Sequence, residues 1–421
     1  MPESVQRRLG TADAVVLGLA AMLGTGVFAV WGPAAAAAGP WLLVAVVIAG
    51  LVAICNAAST ADLAVAHPES GGGYVYGRER IAPGVGRLAG VAFLAGKSSS
   101  AAAAAGVFGS YVLPSQPVAA AVVVIMAVTA LNTAGVRWTA RGAYALVGGT
   151  LAVLLLVIAS GLLGAGEDTP AAAAVPTAEV AAPVAGGPLG AFTAAGLLFF
   201  AYAGYARIAT LAEEVRDPTR TLRRAIEIAL GIALFTYLLV GVALIVGLGI
   251  DRLATETAPL VTLVDMGPSP SLGVLVRVGA AVAAGSALLS VLVGVSRTGL
   301  AMARRGELPG ALAVVGGRGT PWRADLAGGA VAIVIALLAG PAAAIALSAC
   351  SVLVYYAVIN LSALRLAPAE RHWPMWMSWA GFLLCLALAV LLPLPQVAVT
   401  VVVLLVGWTA VTLLRDPGPA G

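Results

Sequence analysis

The sequence predicts an all-α integral membrane protein with twelve transmembrane helices. Of its 421 residues, 61% are hydrophobic and only 10% are charged, and the mean hydropathy is +1.02. A soluble globular domain carries about 25% charged residues, so this chain cannot cover a water-facing surface. Apolar stretches of about 20 residues, the length that crosses a lipid hydrocarbon core, recur from Val15 to Leu414. Runs such as 151–158 do not alternate polar and apolar residues, which excludes an outer-membrane barrel and leaves helices as the spanning structure.

Hydropathy and the distribution of arginine place the individual spans. We predict spans over residues 14–38, 41–66, 86–113, 117–135, 141–165, 190–215, 223–249, 272–303, 324–340, 342–365, 373–393 and 396–414. With the N-terminus in the cytoplasm, nineteen arginines fall on the inner side and Arg252 alone on the outer side. Cytoplasmic segments are enriched in Lys and Arg, and one missed span would reverse the side of every later loop. The sequence therefore predicts a multi-pass plasma-membrane protein with both termini in the cytoplasm.

The longest outer loop divides the chain into two halves. It is rich in Ala and Pro and separates the fifth span from the sixth. Because five spans precede it, a second group of five enters the membrane in the opposite sense, as an inverted repeat requires. We predict a first repeat over residues 1–165, an outer loop over 166–189 and a second repeat over 190–365, with two more helices and a C-terminal tail over 366–421.

Glycines interrupt the first span of each predicted repeat. In span 1, Gly24 and Gly26 flank Thr25 within an apolar stretch, and in span 6 Gly204 lies in a similar stretch. Each glycine lowers helix propensity by about 1 kcal/mol relative to alanine. Inverted-repeat transporters bind substrate where such helices are interrupted, and the freed N–H and C=O groups suit a carboxylate and an ammonium. We therefore expect a site for a zwitterion; close helix packing by small residues is the alternative explanation of these glycines.

Four stretches of the chain resemble the amino acid–polyamine–organocation (APC) permease family, and the similarity extends over nearly the whole length. The first is 24–28, similar to the family's break in helix 1, and the second is 68–76, PESGGGYVY, similar to its loop after helix 2. The third is 199–218, ending in LAEEVRDP, and the fourth is 296–309, ending in AMARRGELP. In this order and spacing the four motifs identify the chain as a member of that family.

The resemblance implies a LeuT-like fold with a 5+5 inverted repeat and discontinuous helices 1 and 6. It also implies secondary transport of amino acids or related amines by alternating access. Carried over by position, the residues beside the breaks would form the substrate site. N–H groups for the substrate carboxylate would come from Thr25, Gly26 and Val27, next to Gly24. Carbonyls for the amino group would come from Ala21, Met22, Phe200, Ala201 and Ala203, and the site would be flanked by Tyr202 and Tyr205, next to Gly204. Tyr202 would be part of an aromatic gate; the alternative is that Tyr202 and Tyr205 are both ordinary packing aromatics.

Lys97, the only lysine in the chain, lies midway along span 3. A lysine at the centre of a helix costs roughly 2.5 to 3.5 kcal/mol on insertion scales, so it is a candidate for function. In exchangers of the family, the residue after the glycine of this segment lies close to the substrate. Many proton-coupled relatives instead carry a lysine in helix 5, where this chain has Thr150. Lys97 is thus a candidate for proton coupling or for contact with an acidic substrate; the alternative is a structural role, in an ion pair or as a cap on main-chain carbonyls.

Two other charged positions lie near the predicted site. Arg207 follows the break in span 6 and either attracts an anionic group of the substrate or pairs with Asp62 of span 2. Glu213 and Glu214 lie near the cytoplasmic end of span 6, where they form either a gate-closing ion pair or a solvated helix end.

Other classes of protein fit the sequence less well. A membrane enzyme needs a nucleophile with a base or a metal cluster, but the two histidines, His67 and His372, lie at predicted helix ends. A channel would require a polar pore lining, which isolated charges do not supply. We expect no cofactor, no metal and no nucleic-acid partner, and the sequence carries no signal for an oligomeric state. A nutrient sensor on the same scaffold stays open, as do proton-coupled uptake, sodium-coupled uptake and exchange.

Overall fold

The computed structural model describes residues 9–67, 71–135, 140–164, 186–209, 211, 215, 217–317 and 319–413. These residues form eighteen α-helices: α1 Thr11–Met22, α2 Thr25–Ala29, α3 Trp31–Ala38, α4 Leu42–Ala66, α5 Gly73–Arg80, α6 Pro83–Val112, α7 Pro117–Thr133, α8 Ala140–Leu163, α9 Pro188–Tyr202, α10 Ala206–Ala209, α11 Pro218–Leu248, α12 Ile250–Thr255, α13 Pro259–Met266, α14 Gly273–Arg304, α15 Trp322–Leu338, α16 Pro341–Ala363, α17 Met375–Leu391 and α18 Leu394–Leu413. Within the described residues, β-type pairing is limited to one parallel bridge between Leu9 and Val215. Glu213, Glu214, most of the loop 166–189 and residues 68–70 of the second motif lie outside the described residues.

Proline and glycine set many of the helix boundaries. Proline is the first residue of six helices, where its fixed φ suits the helix and its missing N–H is not needed: α6, α7, α9, α11, α13 and α16. The side chain of Asp217 caps α11 by accepting a hydrogen bond from the main-chain N–H of Arg220, at 3.3 Å. The same helix ends at Leu248 and is followed by Gly249, whose φ of +76° lies in the left-handed region that favours glycine.

Each of the twelve predicted spans contains helix, but these helices differ in whether they are long and apolar enough to cross a membrane. In the part of the chain that the structure describes, nine helical segments are long and apolar enough to cross a membrane. α7 and α17 are shorter apolar helices of 17 residues each. α15, also 17 residues long, carries Arg323 and Asp325 in its first turn. The sixth predicted span, 190–215, is shorter in the structure, because its helix ends at Ala209.

The core of the molecule joins helices of the two predicted repeats. α6 packs against α14 and α16, and α4 packs against α9 and α11. Small residues lie at these contacts, as they do where membrane helices approach closely: a methyl group at Gly90 would meet Met302 of α14, and one at Gly96 would meet Val352 of α16. Large apolar side chains such as Leu155, Phe235, Val390 and Leu405 instead point outward. An apolar surface of this kind suits lipid, in line with a multi-pass membrane protein.

Candidate functional site

The first predicted interruption lies between α1 and α2. Helical hydrogen bonding stops after the N–H of Leu23, which donates to the Leu19 carbonyl at 2.7 Å. Gly24 then adopts φ −84° and ψ −135°, outside the helical region, and α2 begins at Thr25. The turn therefore leaves the last carbonyls of α1 and the first N–H groups of α2 without partners in their own helices.

The second interruption is a change of helix type. α9 ends at Tyr202, residues Ala203 to Tyr205 form a 3₁₀ turn, and α10 follows from Ala206. A 3₁₀ turn inside an α-helix shifts the pairing of the carbonyls around it and often marks a functional hinge. This interruption is milder than the first, since the chain stays helical throughout.

The two interruptions touch each other through glycine. A methyl group added at Gly26 would overlap the main chain of Ala201, and one added at Gly204 would overlap the carbonyl of Ala21. We call this contact, between residues 21–26 and 201–204, the junction. Only glycine permits such an approach of two backbones, so the close packing and the interruptions are properties of the same residues.

Tyrosines from two other helices reach the junction carbonyls. The hydroxyl of Tyr237, in α11, donates to the carbonyl oxygens of Met22 at 2.7 Å and Ala201 at 3.1 Å. The hydroxyl of Tyr356, in α16, donates to the carbonyl oxygen of Ala203 at 3.4 Å. Both tyrosines are buried. Thus three of the carbonyls predicted to receive an amino group are hydrogen-bond acceptors for phenols in this structure.

One buried polar atom at the junction has no hydrogen-bond partner among the described residues, Oγ1 of Thr25 at the start of α2. Thr25 has only 4% of its surface exposed. The hydroxyl of Tyr205, one residue beyond the junction, interacts with that of Tyr356, and the two rings lie 5.3 Å apart between centres. A buried polar group without a partner is costly, so Oγ1 of Thr25 is an atom that a bound solute can satisfy.

The remaining predicted site residues lie around the junction with other partners. Tyr202 donates its hydroxyl to the carbonyl of Val46 in α4, at 3.3 Å, and its ring contacts that of Tyr237 edge to face. The Val27 carbonyl accepts from Nε1 of Trp31, at 2.7 Å. Phe200 is half-buried in α9. The structure thus brings all the predicted residues of both interruptions into one region, with Tyr202 directed toward α4.

Comparison with known proteins shows the family of this chain. The chain matches the amino acid permease family model over residues 13–419. The chain belongs to the amino acid permease family. It is 47% identical over 416 residues to an uncharacterized transporter of Mycobacterium tuberculosis strain H37Rv, which covers 99% of this chain and 93% of the relative.

Two named relatives are more distant. The branched-chain amino acid permease BcaP of Bacillus subtilis is 27% identical over 340 residues, covering 74% of this chain and 70% of that protein. The inner membrane transport protein YbaT of Escherichia coli is 30% identical over 344 residues, covering 78% of this chain and 76% of that protein. The permease is therefore a membrane transporter for amino acids and not an enzyme.

Two charged candidates of the permease, Lys97 and Asp62, make contacts with residues outside the junction. Lys97, in the middle of α6, has its Nζ 6.0 Å from the centre of the Phe93 ring and forms no ion pair among the described residues. Asp62, near the end of α4, accepts hydrogen bonds from the main-chain N–H groups of His372 and Trp373 and lies 3.3 Å from Nδ1 of His372. Arg207 is exposed on α10, and Thr150 is buried in α8.

Two of the family-like motifs meet at the end of α14. Glu307 is buried and accepts hydrogen bonds from the hydroxyl of Tyr74 at 2.6 Å and from Nη1 of Arg78 at 2.8 Å. The guanidinium of Arg305 lies 5.4 Å from the centre of the Tyr74 ring. Burial and the hydrogen bond to the Glu307 carboxylate raise the pKa of Tyr74 to about 12. This cluster joins α5 to α14 and hence the two predicted repeats.

A second ionic contact holds α5 to the segment before α17. Arg80 donates two hydrogen bonds to the Glu370 carboxylate, at 3.0 and 2.6 Å, and a third from Nε to Nε2 of His67. The hydrogen bonds from Arg80 lower the pKa of Glu370. Arg78 and Arg80 therefore anchor the last turn of α5 to two different parts of the chain.

Sequence reasoning missed Tyr237, Tyr356 and Glu307. A single tyrosine in an apolar helix carries no spacing signal, and Tyr237 is 215 residues from Met22 along the chain. Glu307 was quoted within a motif, but its partner in the other motif could only be found in three dimensions. The available signal in the sequence was that both motifs follow helix ends on the predicted cytoplasmic side.

Proposed function

We propose that this permease is a secondary active transporter that carries amino acids or related amines across the membrane by alternating access. The observation that carries the proposal is the junction, where Gly26 lies against Ala201 and Gly204 against Ala21. Interrupted helices leave main-chain N–H and C=O dipoles that their own helix does not use. A zwitterion carries one charge for each kind of dipole.

The proposal includes a twelve-helix LeuT-like architecture with a 5+5 inverted repeat over residues 1–165 and 190–365. Its support is the equivalent position of the interrupted segments, one in the first helix of each half. We further propose a plasma-membrane location with both termini in the cytoplasm, which the distribution of arginine supports.

Within the junction, we assign the residues by the kind of main-chain group that each can offer. Thr25, Gly26 and Val27 would present N–H groups to the substrate carboxylate, beside the unpartnered Oγ1 of Thr25. Main-chain carbonyls would receive the amino group, and they belong to Ala21, Met22, Phe200, Ala201 and Ala203. Tyr202 and Tyr205 would flank it. The second interruption, around Gly204, supports this assignment through its altered carbonyl pairing.

For energy coupling we favour protons or exchange over sodium. The support is Lys97, an intramembrane cation without an ion pair among the described residues. Intramembrane charges of this kind mark ion or proton pathways in transporters. The alternative role of Lys97 is contact with an acidic substrate. A preference for acidic over neutral substrates distinguishes this role from proton coupling.

The test is uptake by the purified permease in liposomes. The panel begins with L-leucine, because one relative is named a branched-chain amino acid permease, and includes L-glutamate and L-arginine as charged probes. We expect saturable accumulation of at least one amino acid, driven by an inward proton gradient or by amino acid inside the liposomes. Binding detected by thermal shift without any accumulation would contradict transport and favour a sensor.

The Lys97→Ala variant tests the coupling. We expect it to lower proton-driven accumulation by about tenfold or more, which corresponds to about 1.4 kcal/mol. Arg252→Ala is the control, because Arg252 lies in an exposed ion pair with Glu256 on the predicted outer side. Accumulation driven by sodium alone, and equal in Lys97→Ala, would overturn the assignment of Lys97.

A further inference from the structure

The hydroxyl of Tyr237 faces two acceptors that belong to different interrupted helices. Its oxygen lies 2.7 Å from the Met22 carbonyl oxygen, at the end of α1, and 3.1 Å from the Ala201 carbonyl oxygen, near the end of α9. Tyr237 itself lies in α11, is buried, and is held by edge-to-face contact with the Tyr202 ring at 4.9 Å between centres. One phenol therefore bridges the two sides of the junction from a third helix.

The number of hydrogen bonds that this hydroxyl can donate is limited by its number of protons. A tyrosine hydroxyl carries one proton, so it can fully satisfy one of the two carbonyls at any moment. An ammonium group carries three and can donate to both carbonyls at once. The phenol and a substrate amino group are thus alternative donors to the same two atoms, and the ammonium is the stronger one because its hydrogen bonds are charge-assisted.

We propose that Tyr237 is a positioning residue that closes the junction when no substrate amino group is bound, and that substrate binding displaces its hydroxyl. This inference rests on the proposed transport function. The hydroxyl keeps one of these two carbonyls paired at any moment while the unloaded transporter changes conformation in the membrane. Without it, neither carbonyl has a side-chain donor among the described residues during that step, and unpaired polar groups are expensive in lipid.

The proposal separates two modes of transport. Net uptake requires the unloaded transporter to return across the membrane, whereas exchange returns it loaded with a second substrate molecule. Loss of the Tyr237 hydroxyl should therefore slow net uptake selectively. A tyrosine that only stabilises the fold would lower both modes by the same factor.

Tyr111 provides a matched control within the same permease. It lies in α6, is buried, and donates its hydroxyl to one main-chain carbonyl, that of Phe28, at 3.0 Å. Phe28 lies beyond the junction residues, in α2. Tyr111→Phe thus removes a buried phenol-to-carbonyl bond of similar length without touching the junction.

The experiment compares net uptake with exchange in liposomes, using radiolabelled L-leucine or the panel amino acid that accumulates best. Net uptake is measured into liposomes without internal amino acid, and exchange into liposomes loaded with the same unlabelled compound. For Tyr237→Phe we expect the maximal rate of net uptake to fall about tenfold, the cost of one unpaired buried acceptor, and exchange to change by less than about twofold. Tyr111→Phe should keep the wild-type ratio of the two rates.

Parallel losses in both modes, or no loss in either, would overturn the role of Tyr237. A wild-type permease that is inactive in both modes would instead contradict the proposed transport function. If Tyr237→Phe does not fold, 3-fluorotyrosine at position 237 keeps the side-chain size and makes the hydroxyl a stronger donor. It should then compete better with the amino group and raise the KM for exchange; an unchanged KM would contradict the proposal.

Discussion

The junction and the Glu307 cluster hold distant parts of the chain together by opposite means. At the junction, two backbones meet through Gly26 and Gly204, and neutral phenol-to-carbonyl hydrogen bonds bridge them. At the end of α14, a buried carboxylate takes a guanidinium and a phenol as partners. The junction contains no ion pair among the described residues, whereas the cluster depends on one.

This difference follows from the surroundings of each region. Charged groups are expensive in the middle of a bilayer, so a contact that must open there is best made from main-chain dipoles and hydroxyls. Near the end of a helix, Arg78 keeps part of its surface in solvent, which lowers the cost of burying its partner. Under the proposed alternating access, contacts that are remade in each transport cycle are expected at the junction, and permanent ones at the cluster.

The largest effect should come from closing the junction with a methyl group. Gly26→Ala places a Cβ against the main chain of Ala201, and a backbone cannot move aside as a side chain can. Overpacking of this kind costs about 1–3 kcal/mol, and at the junction it also displaces the groups that would bind substrate. We expect uptake in liposomes to be abolished.

Gly231→Ala is the control for that variant. Gly231 lies within α11 and has open space around the position of a Cβ. Its uptake should stay within about twofold of wild type, since helix propensity favours alanine. Normal uptake by Gly26→Ala would contradict the geometry of the junction, because it would mean that the two backbones are not in contact.

A smaller effect is expected from breaking the Glu307 cluster. Arg78→Ala leaves the buried carboxylate of Glu307 with Tyr74 and without its guanidinium, which should destabilise the fold by up to about 3 kcal/mol. We expect a lower thermal midpoint in detergent, with exchange retained in the fraction that remains folded. Because the two residues share one contact, Arg78→Ala with Glu307→Ala should cost less than the sum of the single variants.

Arg252→Ala serves as the matched control for an ion pair. Arg252 and Glu256 are four residues apart and 3.3 Å from each other; Arg252 is exposed and Glu256 is partly buried, in contrast to the fully buried Glu307. Pairs of this kind contribute less than about 1 kcal/mol. Equal losses of stability in Arg78→Ala and Arg252→Ala would show that burial of Glu307 adds nothing to its pairing.

The smallest effect concerns pH and the pair between Arg80 and Glu370. The pKa of Glu370 is lowered by Arg80, so the folded state binds fewer protons here than the unfolded state. The stability that this pair contributes is present at neutral pH and is lost as the pH falls through the lowered pKa. We expect Glu370→Gln to lower the thermal midpoint at pH 7, and the difference from wild type to vanish in acid. A difference that is constant with pH would contradict this assignment.

Hydropathy was sufficient to predict the long apolar helices, for a physical reason. In lipid, a spanning segment must satisfy its own backbone, so apolar length and helix are nearly equivalent. The short helices α5, α12 and α13 were not predicted, because they lie in loops where no such constraint acts. The prediction also carried the sixth span to residue 215, whereas the described helix ends at Ala209 and Leu211 lies in a turn.

The candidate site could be predicted only in its main-chain part. A glycine within an apolar span indicates either a close approach of two backbones or an interruption of the helix. Gly24, Gly26 and Gly204 thus indicated the residues that meet in the structure. The donors to those carbonyls, Tyr237 and Tyr356, could not be predicted. Their positions depend on how α11 and α16 rotate within the bundle, and a nearly uniform apolar helix does not reveal which side faces inward.

The parallel bridge between Leu9 and Val215 has a bearing on how the permease would move. It joins the segment that leads into α1 to the segment that follows α10, so α1 and α10, on the same side of the two interruptions, are connected to each other. Gly18 and Ile208 add a second contact, since a methyl at Gly18 would overlap the Ile208 side chain. Under the proposed alternating access, we therefore expect α1 and α10 to move together as one rigid unit that pivots at the interruptions.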